Sequence, residues 1–91
     1  MKLSFPILIW DKMRRRILHT STGTFIMTSQ TNLIRLPHDV IISSEKIFLN
    51  KAIQKRGLLN DYTIFCNMIT FTFDLQIKDE VIINYSYWVY Q

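Results

Sequence analysis

Three consecutive arginines, Arg14, Arg15 and Arg16, follow Asp11-Lys12-Met13 between two apolar runs. Guanidinium groups this close repel one another, and no folding rule asks for them. The chemistry they suit is contact with a polyanion such as RNA, through bidentate hydrogen bonds to phosphate that neutralise charge without reading sequence. A solvated turn that only favours solubility is the bland alternative, and the run alone leaves the two evenly matched. Lys51, Lys55 and Arg56 form a second basic cluster, and Thr22, Thr24 and Thr28 offer hydroxyls suited to phosphate or ribose.

Other chemistry finds little footing. His19 and His38 are the only histidines, and neither has ligand spacing with Cys66 or a carboxylate, so no metal site is expected. Asp79-Glu80 is an adjacent pair whose side chains point to opposite faces of an extended chain, unlike a catalytic dyad. There is no glycine loop to cradle a nucleotide phosphate. The expectation is a non-enzyme with no cofactor and no small-molecule substrate.

The elements that must hold these cations are mostly strands. The chain has 91 residues, 48% of them hydrophobic, which suffices for one core and one domain, 1–91. Ile, Thr, Phe, Tyr and Val dominate, and Ala52 is the only alanine. The net charge of +4 is unevenly spread: Lys12 to His38 holds five bases and no acid, whereas six acids nearly balance five bases from Asp39 onward. No apolar run approaches the roughly twenty residues that span a bilayer, so no membrane insertion is expected. One cysteine excludes an internal disulfide and fits a reducing compartment.

In chain order, Leu3–Trp10 and Met13–Thr20 read as a hairpin with a cationic tip. Thr20–Thr24, around Gly23, reads as a turn, and Phe25–Met27 with Leu33–Leu36 as a further short hairpin. Ser44–Arg56 is expected to be a helix, because Phe48 and Ala52, and Leu49 and Ile53, fall four apart, serines can cap its start and Gly57 can end it. Tyr62–Cys66 begins a strand. Ile69, Phe71, Phe73, Leu75 and Ile77 then alternate with polar residues, the pattern of a strand with one buried face. Lys78-Asp79-Glu80 turns the chain into a last strand, Val81–Tyr90, rich in aromatics.

The opening, an apolar strand followed by Asp11-Lys12-Met13, basic residues and a second apolar strand, resembles the bacterial-type small-subunit ribosomal protein seventeen family, with Trp10 where that family has serine. Lys51, Lys55 and Arg56 are similar to its basic middle segment. Asp79 and Val81 match its Gly-Asp turn and following strand, with Lys78 replacing the glycine. Residues 20–40 exceed the family pattern and stand as an insertion, an extra hairpin or arm. The resemblance implies a mostly β fold, a small five-stranded barrel of the oligonucleotide-binding type with one short helix. It implies a structural role in the small ribosomal subunit, mitochondrial or otherwise organellar, beside neighbouring ribosomal proteins. Lys12, Arg14, Arg15, Arg16, Lys51, Lys55 and Arg56 would then contact ribosomal RNA. The competing reading is a small non-catalytic β subunit of a large organellar complex that binds protein through an apolar patch around Trp10, Trp88 and the C-terminal tyrosines.

Overall fold

The last of the expected strands is the axis of the molecule. The computed structural model describes residues 16–90, and in it β7 (Glu80–Tyr90) is flanked on one side by β1 (Arg16–Ile26) and on the other by β3 (Lys46–Leu49). The short β4 (Ala52–Ile53) completes a sheet of order β1-β7-β3-β4. A second sheet has the order β2-β6-β5, from β2 (Thr31–Arg35), β6 (Met68–Leu75) and β5 (Tyr62–Phe65). All pairings between these strands are antiparallel.

Alternation decides which face each sheet buries. On β7, Val81, Ile83 and Tyr85 point inward; on β6, Ile69, Phe71 and Leu75 do. With Ile47 of β3, Ile34 of β2 and Tyr62 of β5 they form one core drawn from both sheets. Met27, Leu36 and Val40 join it from the connections. The turn Gln76–Asp79 carries the chain from one sheet to the other and is closed by the Asp79 N–H donating to the Gln76 carbonyl, 3.1 Å. Lys78 has φ 76° there, a left-handed conformation natural to glycine. The Gln76 N–H and the Asn50 amide both donate to the Asp79 carboxylate and hold its pKa below the ordinary range.

Three expectations are corrected. The described residues form two open antiparallel sheets with no closed barrel: β1, β4, β2 and β5 are edges, and none pairs with an edge of the other sheet. The expected helix Ser44–Arg56 is a hairpin instead. Asn50 and Lys51 have φ 48° and 73°, the two left-handed positions of a tight I′ turn, and they fold β4 back on β3. The strand wins because β7 offers an unpaired edge there, and four residues of β3 satisfy it. Residues 20–40 are not an extra hairpin, since β1 runs unbroken through Thr20–Thr24 to Ile26 and pairs with β7, while β2 pairs with β6. Gly23 sits inside β1 because the Phe25 ring comes within 2.9 Å of where a Cβ would stand.

One mutational consequence follows from the β3–β4 turn. Lys51→Gly, giving the Asn-Gly pair that such turns favour, is expected to raise stability by about 1 kcal/mol. That corresponds to a rise in Tm of roughly 4–8 °C for a domain of this size. An unchanged or lower midpoint in thermal unfolding would contradict the left-handed turn.

Candidate nucleic-acid interface

The outer face of the β1-β7-β3-β4 sheet divides into three zones, each set by the register. In the middle, Thr22, Asn84 and Lys46 lie side by side on β1, β7 and β3, and Thr20 lies opposite Ser86 in the next row. The Thr22 hydroxyl donates to Asn84 Oδ1 at 2.7 Å. The Ser44 hydroxyl accepts the Ser86 N–H at 3.1 Å and donates to the Ile41 carbonyl at 2.6 Å. Together with Lys46 these hydroxyls line a shallow concavity of about 280 Å³. No carboxylate lines it. Threonine and serine suit a strand face as well as an oxygen-rich ligand, so local sequence supplies fold and surface chemistry at once.

Towards the upper end, Leu18 lies opposite Trp88 and Arg16 opposite Tyr90. The Arg16 guanidinium sits 4.4 Å over the Trp88 ring, a cation–π pair. Trp88 and Tyr90 are exposed, and they form one wall of a cleft of about 450 Å³ whose other wall is His38–Ile41. That wall is fixed from within. His38 stacks on Tyr87 at 3.7 Å between centroids, and its Nδ1 lies 3.1 Å from the Tyr85 hydroxyl. Burial pushes the Tyr85 phenol upward in pKa. The Ile41 N–H donates to the Ser86 carbonyl and anchors the loop to β7.

Towards the lower end the face turns apolar. Ile82, Phe48 and Ile53 form one row across β7, β3 and β4, with Ile26 close by on β1. Ile26 and Ile53 are well exposed.

The sequence-derived cations do not converge. Lys12, Arg14 and Arg15 lie outside the described residues. Arg16 is at the upper end of the sheet, whereas Lys51 is in the turn at the lower end, where Asn50 donates to Glu80. Ten residues of β7 separate those ends, about 33 Å. Lys55 is exposed beside Asp61, whose carboxylate accepts the Lys55 N–H at 2.7 Å. Arg56 is committed elsewhere: it pairs with Glu45 at 3.5 Å and donates to the Ser43 hydroxyl at 3.0 Å. Lys46 and Trp88 were not among the sequence candidates as phosphate contacts. The alternation of Thr20, Thr22 and Thr24 was a visible sign of a wet hydroxyl face, but Lys46 was hidden inside a segment read as helix.

Among the described residues no three His, Cys, Asp or Glu side chains are placed to hold a metal ion, and no helix is long and apolar enough to cross a membrane. The fold defines a small two-sheet antiparallel β protein. No protein-family model, no curated protein and no solved structure matches the chain.

Proposed function

We propose that this is a non-catalytic RNA-binding protein, a structural part of a ribonucleoprotein, with the small ribosomal subunit of an organelle as the assembly to which the sequence resemblance points. The observation that carries the reading is the upper two-thirds of the sheet face. There Lys46 and its surrounding hydroxyls offer one charge and several hydrogen bonds to a sugar–phosphate backbone, and Arg16 with Trp88 offers a planar surface to a base. Basic residues interleaved with aromatics on a strand face suit single-stranded RNA, whose bases are free to stack. This moves the contacts from the basic middle segment to Arg16, Lys46 and Trp88, with Arg14 and Arg15 adjoining Arg16 in sequence.

The protein-binding reading has one specific observation in its favour, the apolar row of half-buried Ile82 and Phe48 and exposed Ile53 on the same sheet, with exposed Ile26 close by. Both readings are tested by sedimenting the tagged protein from its own cells through a sucrose gradient at rising salt, with and without nuclease. Migration with the small subunit that follows its RNA supports the first; migration with a complex indifferent to nuclease supports the second and overturns the first.

The residues are tested with purified protein and a labelled single-stranded RNA. Trp88→Ala is expected to weaken binding about tenfold, the scale of one lost base stack. Lys46→Ala is expected to weaken binding and to flatten its dependence on salt. Arg56→Ala should leave both affinity and salt slope unchanged, because its guanidinium is already engaged by Glu45. Full affinity in both the Trp88 and Lys46 variants would remove this face from the proposal.

A further inference from the structure

The four sheet edges are not alike. β4 has two residues, β5 has four, and β2 has five, with a register irregularity between Thr31 and Leu33 and a charge at Arg35. Short length, bulges and charge are the usual ways of preventing an edge from recruiting another strand. β1 has none of them: eleven residues, no proline, and no charge after Arg16. Its backbone groups alternate in direction. Glu80 accepts from β3's hairpin and Ser86 from Ile41, so the even-numbered residues of β7 face β3 and the odd-numbered ones face β1. The odd residues of β1 therefore bond to β7. The N–H and C=O groups of Leu18, Thr20, Thr22 and Thr24 point away from the sheet, and nothing among the described residues pairs with them.

We infer that β1 is a self-association edge, and that two copies of the chain join by antiparallel β1–β1 pairing about a twofold axis at Ser21. The register with full overlap places Thr20 opposite the partner copy's Thr22, and Leu18 opposite its Thr24, which joins every outward-facing donor to an acceptor. On the inner side it sets Ile17 against Phe25, both half-buried apolar side chains. Charge agrees with this register. Arg16 enters the row that holds Ile26 and Glu80 of the other copy, so each cation faces an anion about two strand spacings, or ~10 Å, away. Arg16 never meets its own symmetry mate. The result is one continuous eight-stranded sheet, four strands from each copy.

The test is the mass of the full chain in solution, from low to high micromolar concentration, by sedimentation or light scattering. The expected mass is twice the 10.9 kDa of the chain. Thr22→Pro removes one outward N–H and no backbone bond to β7, losing on that side only the exposed hydroxyl bond to Asn84, so it is expected to halve that mass while circular dichroism keeps the β signature. Leu18→Pro, at the same parity, is the second variant should Thr22→Pro fail to fold. Hydrogen exchange gives an independent reading: the Thr20 and Thr24 amides should be protected in the wild type and exchange freely in both proline variants, and the Thr22 amide should do the same in Leu18→Pro, while Ser21 and Gly23 stay protected throughout. A monomer throughout the range would overturn the inference. So would a dimer untouched by either proline, or a chain lacking residues 1–14 that dimerises when the full chain does not, since the edge would then belong to the N-terminal segment. Neither RNA binding nor its absence bears on these outcomes.

Discussion

Replacing Phe71 with alanine is expected to cost about 3–5 kcal/mol, the range for emptying a fully buried phenylalanine site. A domain of this length has in total about 5–14 kcal/mol of stability, so the variant stands near the threshold of folding at 37 °C. Phe71 is at the centre of the second sheet and is almost wholly buried. It lies opposite Tyr62 in the register, with ring centroids 6.1 Å apart, and meets Phe73 edge-on at 5.6 Å. These aromatic contacts add to the loss of apolar area, and a sheet framework held by backbone bonds collapses only partly into the void. Denaturant unfolding gives the answer directly. A loss under 1.5 kcal/mol would mean that the two sheets do not share the core described above, while Phe71→Leu should recover most of the difference.

Truncating Glu45 is expected to cost about 2–4 kcal/mol, through hydrogen bonding instead of packing. Its side chain is 3% exposed, accepts from the Ser43 N–H at 3.0 Å and the Tyr62 hydroxyl at 3.1 Å, and forms an ion pair with Arg56 at 3.5 Å. Glu45→Ala strands the phenol and the amide and leaves Arg56 without its anion. Because the guanidinium is about one-third exposed, water recovers part of its solvation, which keeps the cost below that of a fully buried pair. Glu45→Gln preserves an acceptor for Tyr62 and should lose roughly half as much. The same contact predicts alkaline sensitivity. Burial first, and then the Glu45 carboxylate, push the Tyr62 phenol well above its ordinary value of 10.0. The folded state therefore retains a proton that the unfolded chain releases. The stabilisation is complete below pH 10 and declines as pH rises beyond it towards the folded-state value. Tyr62→Phe should shift the alkaline midpoint upward; an unchanged midpoint would assign alkaline unfolding to other groups.

The network also explains why Arg56 was misleading in the sequence. A basic residue near Lys51 and Lys55 reads as part of a cationic cluster, but its partner is eleven positions away at Glu45, on the other side of a hairpin. Only once β3 and β4 are formed do the two meet. Lys51 and Lys55 suffer the same fate in part: the I′ turn and the Asp61 contact scatter them, whereas a helix would have gathered them.

What the sequence determined by itself was the two-residue alternation. From Ile69 to Leu75, side chains spaced by two reach the same face whatever the strand later pairs with, so strand, buried face and wet face were all legible, whereas for Val81–Tyr90, with aromatics on both sides, only the strand was. The Lys78–Glu80 turn was legible for the same local reason. Phe73, 37% exposed, and Ile77, beyond the end of β6, show where alternation stops implying burial. The tertiary structure decided the rest. The segment 44–56 carries both a helical and a strand pattern, and the unpaired edge of β7 selected the strand by supplying hydrogen-bond partners that a helix there would have left unmet. β1 and β7 are more than fifty residues apart in sequence, with no local signal of their pairing. That pairing alone sets Arg16 beside Trp88 and Thr22 beside Asn84, because a surface assembled from neighbouring strands depends on register, and register is fixed by the whole core.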